Sequence, residues 1–309
     1  MQISAFYSKR SRHRYRGLYH PLTGYGFISL WIFGFLAFSL FPLAFSLVIS
    51  FFKWGLLDKP VFIGFRNYVQ MFTIDKMFFQ SIKVTLTYAC ISVPLSLVLS
   101  LLIAMLLNMK IKGMSLFRTL FYLPSIITGV AVSVVWMWVL QPDFGLLNYF
   151  LRIVHITGPD WLGNPIWALV SMIIIAIWGS SGTQVVIYLA GLQNVPPELY
   201  EAASIDGAGK LSRFWNVTIP MLTPTIFFNL VMGIIAAFRT FTQAYVMTKG
   251  GPSNSTMFYA LYLYNKAFRD LQMGYACALS WILFIIIAFF TLLVFKSSAS
   301  WVYYESERK

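Results

Sequence analysis

Carboxylates are scarce in this sequence: ten Asp and Glu among 309 residues, against 23 Lys and Arg. Charged residues make up 11% of the chain, where a soluble domain carries about one quarter. Cysteine is nearly absent too. Cys90 and Cys277 both fall inside apolar runs, with no CxxC or Cys/His spacing, so neither a disulfide framework nor a zinc site is expected. His13, His20 and His155 lie far apart in sequence and share no carboxylate-bearing motif. They read as loop or interface residues, and no metal site is expected. No Ser/His/Asp set, HExxH or pair of intramembrane carboxylates is present, which argues against a membrane-embedded enzyme. "SIDGAGKLS" contains Gly-Lys, but Ser204 stands where a phosphate-binding loop needs Gly, and Leu211 where it needs Ser or Thr. The chain is therefore not expected to bind ATP itself.

What is abundant is apolar surface: 59% of residues are hydrophobic and 18% aromatic. A formal charge of +13 could suggest nucleic acid. The cations cluster beside apolar runs instead, as in membrane proteins, and no nucleic-acid partner is expected. A helix needs about 20 mainly apolar residues to cross a bilayer. Uncharged runs that long occur at 25–52, 84–109, 119–140, 161–197, 214–238 and 271–295. The fourth is longer than a span requires, so its helix is placed near 166–192. The reading is an all-α membrane protein with six transmembrane helices over 25–295 and no separate soluble domain.

The first run exceeds the apolar core of a signal peptide, about 7–15 residues, and is expected to stay attached as an anchor. The tail 1–24 carries Lys9, Arg10, Arg12, Arg14 and Arg16 without an acid. The positive-inside rule puts it in the cytoplasm, and six crossings return the tail 296–309 to the same side. The loops 53–83 and 239–270, placed outside, hold nine Lys and Arg against thirteen inside. The cluster beside the first span decides the orientation.

With that orientation, "QNVPPELYEAASIDGAGKLSRFWNVTIP" lies in the cytoplasm between spans four and five. It reads as a short helix: Asn194 can cap, Pro196 and Pro197 suit a first turn, and Glu198 and Glu201 favour the positive helix end. Gly207 and Gly209 turn the chain, and Lys210–Asn216 begins a second helical piece that runs into span five. From composition alone, this is either a membrane-surface connector or a docking loop for a partner.

The order of residues separates the two. Glu201, Ala202, Ala203, then Asp206, Gly207, Ala208, then Ile219 and Pro220 resemble the EAA signature of ATP-binding-cassette (ABC) importer permeases. Ile219 replaces the usual Leu. "FIGFRNYVQMF" (62–72) and "YVMTKGGPSNSTMFYALYLYNKAF" (245–268) are similar to the sugar-type permeases, with Arg66 where an acidic residue is common. The resemblance covers nearly the whole chain after residue 25. It implies a type I ABC importer permease fold in a bacterial cell membrane. The loop 196–220 would be a coupling helix in which Glu201 pairs with a basic group of a separate ATPase subunit and Gly207 permits the turn. It further implies a second homologous permease, two ATP-binding subunits that carry ATP and Mg, and an extracytoplasmic solute-binding protein. That protein would meet Gly250, Gly251, Pro252 and Asn254.

Polar residues at mid-membrane mark candidate solute paths. Span four has "WGSSGTQ", where Thr183 and Gln184 either line a path or belong to a small-residue packing seam. Span five ends in "AAFRTFTQAYV". The resemblance carries Thr240, Thr242 and Gln243 over as cavity residues. Arg239 either contacts an acidic or hydroxyl-rich solute or snorkels outward. Trp136, Trp178 and Tyr245 are candidate sugar platforms, whereas Trp161, Trp167 and Trp301 read as an interfacial belt. No charge lies inside the six runs, which disfavours an ion-driven secondary transporter.

Overall fold

In the computed structural model, which describes residues 21–109 and 111–303, the chain is helical almost throughout. The basic residues of the N-terminal tail, His13, His20, Lys110, Arg308 and Lys309 lie outside the described residues. The first span comprises α1 (Pro21–Phe35), a π-helical turn at Leu36–Leu40, and α2 (Phe41–Ile49). A two-residue hairpin follows, with β1 (Phe52–Lys53) antiparallel to β2 (Val61–Phe62), and then α3 (Arg66–Thr73).

The central element is α4 (Lys76–Leu107), 32 residues long. Asp75 starts it: one carboxylate oxygen accepts from the backbone N–H groups of Met77 and Phe78 at 3.0 and 3.1 Å. This is a side-chain N-cap. The other oxygen accepts from the hydroxyls of Tyr262 and Tyr275, tying three segments together. Burial first, and the Asp75 carboxylate next, push the Tyr262 phenol above its ordinary value, so it remains a donor. Asp75→Asn, with a weaker acceptor for both tyrosines and for the cap, is expected to cost about 2–3 kcal/mol. A lowered unfolding midpoint of the detergent-solubilised chain checks this.

The third apolar run is not one helix. It divides into α5 (Met114–Ile126) and α6 (Gly129–Val139), whose axes differ by 101°. Ile127 and Thr128 are extended, ψ 137° and 141°, and break the run where hydropathy alone shows no interruption. Then come α7 (Leu146–Ile153) and α8 (Pro165–Gln193), the latter close to the expected 166–192. α8 itself changes direction by 44° between its 165–180 and 182–193 parts. Asn194 does not cap the next helix. It closes α8, donating its N–H to Ala190 and Gly191, and the proline pair behind it leaves Pro196 at the N-cap of α9 (Pro197–Ile205).

α10 (Lys210–Arg213) and a π-helical turn at Phe214–Thr218 lead into α11 (Ile219–Phe238). The chain then breaks at Arg239–Phe241, so "RTFTQAYV" is not a continuous helical stripe. α12 (Thr242–Met247) is a separate short helix. α13 (Tyr259–Tyr264), a π-helical turn at Asn265–Arg269 and α14 (Met273–Trp301) complete the order.

Among the described residues, four helical segments are long and apolar enough to cross a membrane alone, and counting each bent pair as one span gives six. Two apolar clusters bind α4 to α8 and α11. At one end Val84, Tyr88, Ala89 and Val93 meet Met172, Ile173, Ala237 and Phe238. At the other Leu101, Ala104 and Leu107 meet Val185, Tyr188, Leu192 and Leu222. In the spanning windows, 39% of α4 is buried but only 6% of the first span and 11% of α14, so the last two lie at the periphery of the chain. Gly182 allows α5 to approach α8: a Cβ there would lie 2.8 Å from Ser125 Cβ. Trp161, read as part of an interfacial belt, packs inside the fold rather than on its surface. It is buried, with its indole N–H on Asn148 Oδ1 at 2.7 Å, because it anchors the α7 segment to the start of α8.

Candidate functional site: a polar cavity and an exposed connecting helix

Four residues on α4 recur every fourth position, Tyr88, Ser92, Ser96 and Ser100, and so share one face of the helix. All four are buried. Tyr88, Ser92 and Ser96 line a cavity of about 350 Å3 with Gly179, Ser180 and Gln184 of α8, Gly233 of α11, and the segment Arg239–Gln243. The structure thus brings together Gln184, Arg239, Thr240, Thr242 and Gln243 of the residues singled out by sequence. It adds the α4 serines, Tyr88 and Phe241.

Within this cavity the α8 amide is oriented. Gln184 Oε1 accepts from the Ser100 hydroxyl at 3.0 Å. Its Nε2 has no protein hydrogen-bond partner among the described residues, and it lies beside Gly233, 3.8 Å from where a Cβ would stand. That nitrogen is not among the fully buried atoms left without a partner, so it opens on the cavity, where a guest or water can accept from it. The Gln243 side-chain oxygen is buried without a partner among the described residues. The cavity therefore offers hydroxyls and amide groups of both polarities, an aromatic face at Phe241 and one cation at Arg239, which is exposed.

Other candidates fall elsewhere. Thr183 points away and is exposed. Trp136 and Trp178 pack edge to face, ring centres 5.7 Å apart, outside the cavity lining. Tyr245 is exposed, packed on Phe241 and Tyr264. The segment 248–258 is folded on itself: the Thr256 hydroxyl donates to Gly251 O at 2.7 Å and lies 2.7 Å from that of Thr248. Gly250 is buried, φ +92°, where a Cβ would meet Met257 Cε at 2.4 Å. Gly251 and Pro252 are half-buried and Asn254 is exposed.

At the opposite end of the bundle, α9 has no buried residue. Its C-terminus turns on Gly207, φ +77°, with Ala208 N–H on Ala203 O at 2.9 Å and Gly207 N–H on Ser204 O at 3.1 Å. The left-handed turn favours glycine. Two side-chain bonds hold α9 against the entry to α11: Tyr200 Oη to Thr218 Oγ1 at 3.0 Å, and Arg213 Nη1 to Ser204 Oγ at 2.8 Å. Glu201, Ala202 and Asp206 are exposed; Ala203 and Ala208 are half-buried. Neither Glu201 nor Asp206 forms an ion pair among the described residues. Ile205 and Leu211, 87% and 72% exposed, stand beside these acids. A helix held in place yet covering nothing presents acids and apolar groups outward.

The chain is similar to known proteins in sequence and in fold. The family described as "Binding-protein-dependent transport system inner membrane component" matches residues 85–303. "Probable ABC transporter permease protein YesP" of Bacillus subtilis is 47% identical over 292 residues, covering 93% of this chain and 94% of that protein. The multiple sugar-binding transport system permease protein MsmF of Streptococcus mutans is 36% identical, covering 84% of this chain and 90% of its own. The lactose transport system permease protein LacF of Rhizobium radiobacter is 35% identical, covering 91% and 95%. In fold, the chain matches a crystal structure of a bacterial ABC transporter involved in import of the acidic polysaccharide alginate. There the TM-score is 0.79 at 24% identity, over 90% of this chain and 95% of that one. The chain belongs to the binding-protein-dependent transport system inner membrane components: it is a multi-pass membrane permease subunit of the ABC transporter class.

Proposed function

We propose that the chain is one of two related permease subunits of an ATP-driven importer for a sugar or oligosaccharide. A solute-binding protein delivers the solute, and two separate ATPase subunits, which carry the ATP and Mg, drive the cycle. The observation that carries the reading is α9: an uncovered helix with Glu201 and Asp206 in no ion pair among the described residues, continuous with α8 through residues 194–196 and tied by Tyr200 and Ser204 to the segment leading into α11. Those two helices also wall the cavity, so a push on α9 moves its lining. Both chain termini and α9 then lie in the cytoplasm, and the segment 250–256 faces the binding protein, with Asn254 its most accessible contact. Relatives named for lactose and multiple-sugar transport support the solute class. So does a cavity of hydroxyls, amides and an aromatic face, which matches the hydroxyl edges and C–H faces of sugars.

The test separates this reading from a gradient-driven carrier. Cells expressing the transporter are given lactose, maltose or alginate oligosaccharides, an ionophore to collapse the membrane gradient, and intact ATP. Uptake is expected to continue. Uptake that stops with the gradient while ATP stays high contradicts the proposal.

A further inference from the structure

A second cavity, about 480 Å3, lies away from the central one and shares no lining residue with it. The β1–β2 hairpin, the start of α3 and the start of α14 enclose it. Lys53, Arg66, Asp58 and Asp270 bring charge to its wall, with Trp54 and Gln272 beside them. Asp270 is already neutralised, 2.9 Å from Lys266, and this is the one ion pair among the described residues. Lys53 and Arg66 are left against Asp58 alone, an excess of one positive charge. The positive end of α14, 29 residues long, opens on the same space and adds to it. Arg66 is also the position where the sequence resemblance leads one to expect an acid.

The surroundings say what kind of anion fits. The cavity sits where two membrane-crossing helices end: α2 stops at Ile49 and α14 begins at Met273. These helices pack together, Trp281 donating to Ser46 Oγ at 3.2 Å, and both are mostly exposed along their spanning windows. The hairpin bounding the cavity exposes apolar groups, Leu57 at its tip (89%) and Phe62 on β2 (68%). Trp54 meets Phe45 edge to face at 6.5 Å. Cations beside exposed apolar and aromatic groups at span ends mark the layer of lipid headgroups.

We propose that this cavity holds the headgroup of an anionic glycerophospholipid. Lys53 and Arg66 take the phosphate, the Arg66 guanidinium being suited to two of its oxygens. The acyl chains run along the α2–α14 seam. The lipid thereby braces the peripheral first span against the rest of the bundle.

The test uses the full-length chain purified with its partner subunits, stripped of lipid in detergent. Phosphatidylglycerol, phosphatidylcholine and glycerol 1-phosphate are titrated while bound mass and melting temperature are read. Phosphatidylglycerol is expected to stay bound and raise the melting temperature, and phosphatidylcholine to do so far less. Removing each cation, Lys53→Ala and Arg66→Ala, is expected to weaken phosphatidylglycerol binding about fivefold, with Arg66→Lys retaining most of it. Equal binding of the two lipids overturns the proposal. So does glycerol 1-phosphate acting alone at the same concentration, or a double alanine variant with unchanged affinity. Should the double variant not fold, the comparison of the two lipids on the unaltered protein decides.

Discussion

Glu201→Lys and Gly207→Pro each return solute-stimulated ATP hydrolysis by the assembled transporter to its unstimulated rate, while the binding protein keeps its affinity for solute. The two changes act differently on one helix. Glu201 is exposed on α9 and has no ion-pair partner among the described residues. Reversing its charge leaves the permease fold intact and puts two like charges face to face at the proposed ATPase contact. Losing one partner of a desolvated charge pair costs about 2–5 kcal/mol, and reversal costs more, so a loss beyond about 30-fold is expected. Gly207 sits at φ +77° and donates its N–H to Ser204. Proline fixes φ near −65° and has no N–H, so the turn that sets the angle between α9 and α10 cannot form. Normal stimulation in both variants contradicts the coupling role.

Gly233→Phe is expected to lower solute uptake by more than about tenfold, with Gly233→Ala much closer to the native protein. A Cβ at Gly233 already lies 3.2 Å from Val93 Cγ1 and 3.8 Å from Gln184 Nε2. A benzyl group from this position projects into the cavity of about 350 Å3, takes up roughly a third of it and comes up against the Gln184 amide. Gln184→Leu removes the donor without blocking the space, and its expected loss is about fivefold, the worth of one hydrogen bond near 1 kcal/mol. Measured uptake in membrane vesicles that is indifferent to the bulky residue places the solute path elsewhere.

The number of spans was legible because bilayer thickness demands a long apolar run, and each run became a helix or a bent pair. The 101° break at Ile127–Thr128 was not, since both residues are compatible with an apolar helix and Pro124 precedes the break. It is an outcome of packing that hydropathy does not encode. The α9 turn was legible at Gly207 because only a left-handed turn closes that helix. Asn194 misled because a residue type that often caps a helix start here closes α8 through its backbone N–H instead.

In the cavity, the polar groups of α8 and of Arg239–Gln243 stood out as interruptions of apolar runs. The α4 groups escaped notice, although Tyr88, Ser92, Ser96 and Ser100 at intervals of four carry a readable helical stripe. Serines in an apolar span read as ordinary backbone-bonded residues, and Ser96 does bond to Ser92 O at 2.6 Å. The aromatic candidates Trp136, Trp178 and Tyr245 lie outside the cavity lining for a different reason. Trp136 and Trp178 satisfy each other, and Phe241, one of several phenylalanines in the region, reaches the cavity only because the helix breaks at Arg239.

The most direct measurement introduces a photo-crosslinking benzoylphenylalanine in place of Ile205, 87% exposed at the end of α9. The transporter is then assembled with its ATPase subunits and irradiated with and without ATP. A covalent adduct to an ATPase subunit is the predicted product in both states. Adducts to lipid or detergent alone, in every nucleotide state, would show that α9 meets no motor.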